Sequence, residues 1–289
     1  MESNVANEGK WEAGLQLFIQ AVLVSPKFLF WLELDHDSKS TETRPIDEYQ
    51  LPCRLPYFLW SSMPDSELME LAANKQLTAN FSSQVNRMLK DLKLSALVDK
   101  FEFQWFQLGR LQSVATDSKL FPSFNEPLQF AMLQETRFFI QKIIREDRSI
   151  TEFLTADFTY LNKPLAKHYG IIDTFGTKVR KKPFKPGAKT IKGQDFVRVN
   201  LKGTNQGGIL TQASVLTITS NPTRTSPVKR GRWVLEQLLG TPPPPHVPEL
   251  EKEDGIKLTG SLRQRMEQHR KNPSYVNCQA SMDLIGFAF

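Results

Sequence analysis

Apolar residues recur with a helical period from the start of the chain. Within residues 10–34 they fall at i, i+3, i+4, i+7 and i+8, a spacing that predicts an amphipathic helix with a core-facing stripe. The stripe consists of Leu15, Phe18, Ile19, Val22 and Leu23. Pro26 predicts a break or kink, because proline has no backbone N–H and clashes with the preceding turn. The polar residues 35–44 read as a linker.

The same helical period continues from Asp47 to about Gly170. We predict helices that open at Pro64-Asp65 and that cover residues 82–89, 94–108 and Glu126–Arg145. The helix over residues 94–108 is predicted to bury Leu97, Phe101, Trp105 and Leu108. The segment Phe158–Leu161 has the composition of a strand and also fits a buried extended segment.

The last third of the chain mixes element types. Residues 175–195 form a predicted loop, whose lysines are either a solvated face or a docking surface for an acidic partner. In residues 196–201 apolar and polar side chains alternate, which predicts a strand. Residues 209–217 fit either helix or strand. Ser226 and Pro227 suit the N-cap and first position of a helix that ends at Gly240. A polyproline spacer (residues 242–245) and a helix over residues 261–271 follow.

These elements predict a mainly α fold: a multi-helix domain, followed by a smaller helical C-terminal module with a short β element. Composition agrees, since 40% of the 289 residues are hydrophobic, as expected of a core-forming protein. The net charge is +6, but the sequence indicates no basic face with base-stacking residues, so we expect no nucleic acid partner. Two cysteines, Cys53 and Cys278, exclude a disulfide framework but leave their pairing open. No apolar run predicts a membrane span or an export signal.

Motifs for catalysis are not apparent in the sequence. It has no phosphate-binding glycine loop, nucleophile elbow or zinc-protease pattern, and its four histidines are far apart, so we predict neither a catalytic residue nor a metal site. Whether the chain is an enzyme stays open, and the lack of a catalytic motif in the sequence argues against it. Glu135, inside an apolar helix, is the carboxylate most expected to be buried. We expect it to pair with Arg137 or Arg87 rather than to act as a general base.

Longer segments carry a family resemblance. The distinctive ones are residues 226–240 with the proline tract and Val247-Pro248, residues 263–273, and Met282-Asp283 with Gly286-Phe287-Ala288. Upstream they include residues 23–30, Leu55 with 57–65, 104–105, 135–136, 161–162 and 207–216. Together they resemble planctomycete-type multidomain proteins with cytochrome c domains, whose modules are domains of unknown function. The resemblance implies four parts: residues 1–34 as the last helix of a preceding module, 45–172 as an all-helical domain, 173–200 as basic loop and strand, and 201–289 as a truncated cytochrome-associated module.

In that family the last module usually carries Cys-x-x-Cys-His, where two thiols bind haem covalently and the histidine ligates iron. The matching residues here are Tyr275, Cys278 and Gln279. Tyrosine forms no thioether and glutamine is a poor axial ligand, so Cys278 is interpreted as the remnant of a degenerate haem c motif. We expect no cofactor on this chain, although haem c is implied for intact relatives.

The resemblance implies an origin in extracytoplasmic electron transfer or oxidoreductase assemblies, at a periplasmic or cell-surface location. Redox proteins or other modules of the same assembly are the implied partners. The alternative is a haem-free structural or interaction module, or a non-functional truncated copy. Pro52 and Pro56 depart from relatives, because they fall in a segment that looks helical there.

Overall fold

The computed structural model describes residues 11–30, 43, 46–170, 193–243, 260–269 and 282–288. The chain divides into two compact units. The first comprises residues 1–56 with 63–81, and the second comprises residues 57–62 with 82–289. The predicted loop and spacer, at residues 175–192 and 244–245, and the predicted linker, apart from residue 43, lie outside the described residues.

The described elements are mostly helical, which confirms the predicted fold class. The helices are α1 (Trp11–Leu23), α2 (Pro26–Leu29), α3 (Leu51–Leu59), α4 (Ser66–Ala73), α5 (Phe81–Lys90), α6 (Ser95–Trp105), α7 (Glu126–Arg145), α8 (Glu152–Thr155), α9 (Lys163–His168), α10 (Ala213–Ile218), α11 (Pro227–Gln237), α12 (Leu262–His269) and α13 (residues 282–286). Short 3₁₀ turns cover Leu92–Leu94, Leu108–Ser113 and Ile209–Thr211. The strands are β1 (Phe158–Leu161) and β2 (Val197–Asn200). None of the helices in these ranges is long and apolar enough to cross a bilayer.

In the first unit the predicted break before Pro26 is confirmed, since α1 ends at Leu23 and α2 begins at Pro26. The predicted burial of the α1 stripe is wrong. No residue of α1 is buried, and Phe18 is 52% exposed. The helical period identified an apolar face correctly, but periodicity alone does not say whether another element covers that face.

The segment with Pro52 and Pro56 is helical all the same. Pro52 is the second residue of α3, where its missing N–H has no intrahelical partner to lose. Pro56 lies inside the helix and removes one backbone hydrogen bond. Nearby, the Glu48 carboxylate accepts hydrogen bonds from the backbone N–H groups of Leu77 and Thr78, at 2.9 and 3.2 Å.

The core of the second unit is built around α7, whose bounds agree with the prediction. Asn125 caps α7 by accepting a hydrogen bond from the Leu128 N–H. Its buried side chains contact aromatic residues from distant parts of the chain: the ring of Phe139 lies 5.4 Å from that of Phe158. The indole N–H of Trp233, on α11, donates to the carbonyl of Phe106 at 3.2 Å. One hydrophobic core therefore includes residues from α6 to α11.

The two strands form an antiparallel pair in which Phe158 faces Asn200 and Leu161 faces Val197. The strand predicted at residues 196–201 is confirmed, and the open question over Phe158–Leu161 is resolved as a strand. The ambiguous residues 209–217 form a 3₁₀ turn followed by α10. β1 lies in the predicted part 45–172 and β2 in the predicted part 173–200, and the two strands pair in one sheet. The division of the chain into these parts stays a prediction.

Two glycines bring α11 and α13 into backbone contact. A Cβ atom at Gly231 would lie 1.9 Å from the carbonyl oxygen of Met282, and one at Gly286 would lie 1.9 Å from that of Pro227. Real Cβ atoms do not approach so closely, so only glycine permits this packing. The N-terminal end of α11 has the predicted form, with the Ser226 side chain accepting from the Lys229 N–H.

Candidate functional site

The predicted haem remnant, Tyr275, Cys278 and Gln279, lies outside the described residues. Its chemistry is still defined by the residue types. Covalent haem attachment needs two thiols and an imidazole, and these three positions offer one thiol, a phenol and an amide. The donor set does not fit haem c.

The described helices on either side of that segment are α12 and α13. Met266 of α12 and Met282 of α13 are buried, and the guanidinium of Arg263 lies 5.0 Å from the ring centre of Phe287. A half-open pocket of about 250 Å³ lies between them, lined by Arg263, Glu267, Leu284, Phe287 and Ala288. It is smaller than the roughly 300 Å³ at which ligand pockets usually begin, and Leu284 is 70% exposed. The pocket is a surface depression rather than a built site.

A second candidate is a cluster at the centre of α7, which we call the Glu135 cluster: Glu135, Thr159, Tyr169 and the backbone N–H of Ala213. Glu135 is buried, as the sequence predicted. Its two carboxyl oxygens contact the hydroxyls of Thr159 and Tyr169, each at 2.6 Å. The Tyr169 hydroxyl also accepts a hydrogen bond from the Ala213 N–H at 2.6 Å. One carboxyl thus joins α7 to β1, to the residue after α9 and to the start of α10.

The predicted arginine partner of Glu135 is wrong. Arg137 instead pairs with Asp99, its Nη2 atom 2.9 Å from Oδ2, and the Arg87 Nε–H donates to the Gln84 amide oxygen. Arg137 is two residues from Glu135, so on a helix the two side chains point in different directions. The sequence of α7 does not indicate that Glu135 contacts the hydroxyls of Thr159 and Tyr169. Only the tertiary fold brings these residues next to Glu135.

Burial controls the proton affinity of this cluster. It raises the pKa of Glu135 from 4.5 to about 7, against the lowering effect of hydrogen bonds from Thr159, Tyr169 and Ala213. Burial and the neighbouring carboxyl raise the pKa of Tyr169 well above its ordinary value, so the phenol keeps its proton. Next to the cluster, the hydroxyls of Thr136 and Ser214 lie 2.6 Å apart and join α7 to α10 a second time.

Sequence reasoning missed a second buried carboxyl, Glu102 of α6. It is fully buried, and neither of its oxygens has a hydrogen-bond partner among the described residues. Burial, with a smaller contribution from Asp99, raises the pKa of Glu102 to about 8. The signal was present in the sequence, because Leu94, Val98 and Phe106 share one helical face with Glu102 and are all buried.

The predicted stripe of α6 is confirmed in part, since Leu108 is fully buried and Trp105 packs partly buried against the core. Phe101, predicted to be in the core, is 42% exposed, whereas Val98 is buried. Within the described ranges, no three His, Cys, Asp or Glu side chains come together as a metal site would require. The second unit thus contains two buried carboxyls, Glu102 on α6 and Glu135 on α7.

Two family models match the chain. One, called PSD4 and described as a protein of unknown function (DUF1592), matches residues 46–171. The other, called PSCyt3 and described as a protein of unknown function (DUF1588), matches residues 206–289. Searches of curated proteins and of solved structures gave no match. These two matches lie in tandem along the chain and are consistent with a planctomycete-type, cytochrome-associated family.

Proposed function

We propose that this chain is a haem-free structural module of a cytochrome c-associated, extracytoplasmic assembly that serves electron transfer or oxidoreductase chemistry. The observation that carries the proposal is the donor set at positions 275, 278 and 279. Tandem DUF1592 and DUF1588 domains support the link to cytochrome-associated proteins. Redox proteins or other modules of the same assembly are its proposed partners.

The chemistry at those three positions argues against a resident haem. Cys278 offers at most one thioether, because the phenol of Tyr275 does not add to a haem vinyl group. Gln279 replaces the imidazole that ligates the iron, and an amide is a weak ligand for haem iron. A chain with this donor set contributes packing and binding surface to its assembly, and electrons travel through other members.

The packing of α13 supports a structural role. Gly231 and Gly286 allow α11 and α13 to approach backbone to backbone, so the helix that follows the degenerate motif is held by protein contacts. Met282 is fully buried in this arrangement. Such packing would stabilise the C-terminal module in the absence of a cofactor.

Restoring the motif tests the proposal. The chain is expressed in a host with c-type haem maturation machinery, as wild type and as the double variant Tyr275→Cys with Gln279→His. We expect no c-type pyridine haemochrome spectrum from the wild type and a clear one from the double variant. The matched control adds Cys278→Ala to the double variant, which removes one thioether and should lower the yield of covalent haem.

Each outcome has a definite meaning. A c-type spectrum from the wild type would overturn the proposal outright. Absence of haem from the folded double variant would show that more than the donor set has been lost, and that the ligation argument is insufficient on its own. Fractionation of cells that express the complete natural gene product tests the proposed extracytoplasmic location.

A further inference from the structure

Glu135, at the centre of the Glu135 cluster, is buried, and burial raises its pKa to about 7. Glu135 is 1% exposed, and its carboxyl contacts Thr159 of β1 and Tyr169, the residue after α9. The Tyr169 hydroxyl in turn accepts from the Ala213 N–H at the start of α10. The protonation state of Glu135 can therefore affect the packing of α7 against β1, α9 and α10.

The protonated form satisfies most of the cluster's hydrogen-bonding groups. The Ala213 N–H donates to the Tyr169 hydroxyl, and the Tyr169 hydroxyl donates to one oxygen of Glu135. The other oxygen lies 2.6 Å from Thr159 Oγ1 and can donate its proton there. An ionised Glu135 would keep both contacts, but it would place a full charge in the core without a cationic partner among the described residues, which is costly.

Other titratable groups on the elements around α7 do not neutralise that charge. Those with partners of their own are Asp99 with Arg137, Glu152 with Arg148, and Arg110 with Gln107. Of the α9 groups, Lys163 and Lys167 are exposed, and desolvation lowers the pKa of His168 below its ordinary value. β1 brings Tyr160, α6 brings the buried Glu102, and α10 has no titratable side chain.

We propose that the Glu135 cluster is a proton-dependent latch, which holds Tyr169 and the start of α10 against α7 while Glu135 is protonated and releases them at alkaline pH. The direction follows from hydration. In the closed state an ionised Glu135 is buried and has only the hydrogen bonds from Thr159, Tyr169 and Ala213, whereas in an open state water solvates it fully. Ionisation therefore favours opening.

The size of the effect follows from linkage. Glu135 has a pKa of about 7 in the closed state and an ordinary value of 4.5 when exposed. Raising the pH from 5 to 8 then increases the equilibrium constant for opening on the order of 70-fold. The reason is that Glu135 ionises at a lower pH in the open form than in the closed form. Below pH 4.5 both forms are protonated and the latch is fully closed.

Hydrogen exchange of the full chain, followed by mass spectrometry from pH 5 to pH 8, measures this opening. After correction for intrinsic exchange, peptides containing Tyr169 and Ala213 should lose protection on the order of 70-fold in the wild type. In Glu135→Gln, whose neutral amide keeps an acceptor for Tyr169 and a donor for Thr159, the loss should be under about 3-fold. An equal pH dependence in both proteins would overturn the proposal.

Two further measurements keep the test decisive if Glu135→Gln folds poorly. The carboxyl carbon of Glu135, followed by NMR in the wild type, should titrate near pH 7; a midpoint below 5 would refute the latch. Tyr169→Phe should expose the Ala213 amide to exchange already at pH 5, because that N–H loses its acceptor. Tyr160→Phe, a tyrosine outside the cluster, is the matched control and should leave Ala213 protected.

Discussion

Glu102 should make the stability of the second unit strongly pH-dependent, and replacing it with glutamine should remove that dependence. The carboxyl is fully buried on α6, and both its oxygens are without hydrogen-bond partners among the described residues. Its charged form is therefore much less stable in the folded state than in the unfolded state. Glu102→Gln keeps the shape of the side chain and abolishes the charge.

The magnitude follows from the pKa of Glu102, which is 4.5 when exposed and about 8 in the folded protein. Each pH unit between these values corresponds to about 1.36 kcal/mol, so the folded state loses about 5 kcal/mol in total. Because the folded pKa is raised, this contribution is fully present below pH 4.5 and is lost as the pH rises towards 8. At pH 7 the loss is about 3 kcal/mol.

Urea denaturation at pH 5 and pH 8, followed by tryptophan fluorescence, measures the effect. The difference in unfolding free energy between Glu102→Gln and the wild type should shift by about 3 kcal/mol in favour of the variant between the two pH values. Glu236→Gln removes a partly exposed carboxylate that pairs with Arg232, and it serves as the control. A difference that stays constant within about 0.5 kcal/mol from pH 5 to pH 8 would refute the reasoning.

Two substitutions test the packing around α11. Gly231→Ala should destabilise the protein by about 3 kcal/mol or more, because its Cβ would lie 1.9 Å from the Met282 carbonyl oxygen. Gly109→Ala, where the nearest atom is 3.7 Å away, should cost far less, and equal losses in thermal or urea denaturation would contradict the proposed contact. Ser226→Ala removes the N-cap of α11 and should cost about 1 kcal/mol in urea denaturation; an unchanged midpoint would show that the cap is not formed.

Local signals predicted the elements well. The bounds of α7 were correct because a long apolar period runs between Asn125, an N-cap residue, and the polar residues after Arg145. The start of α11 was correct because Ser226 and Pro227 are each suited to one position at a helix N-terminus. These features depend on residues within a few positions of one another, so a single sequence contains them.

Contacts between distant residues were not predictable in the same way. The partners of Glu135 are 24 and 34 residues away, and no periodicity relates them to α7. On α6, Phe101 was predicted to be buried but is exposed, whereas Val98 and Glu102 are buried. The apolar residues Leu94, Val98 and Phe106 marked this face in the sequence, but a carboxyl among them, Glu102, argued against its burial. Sequence patterns therefore located the helices and predicted the burial of Glu135, but they predicted neither its hydroxyl partners nor the burial of Glu102.

Intact-mass spectrometry of the wild-type chain, purified from a host that matures c-type cytochromes, tests the central claim most directly. One thiol, a phenol and an amide at positions 278, 275 and 279 do not hold an iron porphyrin covalently with its normal ligand. We expect the mass of the unmodified polypeptide. A population heavier by one haem, retained after denaturation and acid extraction, would contradict the account.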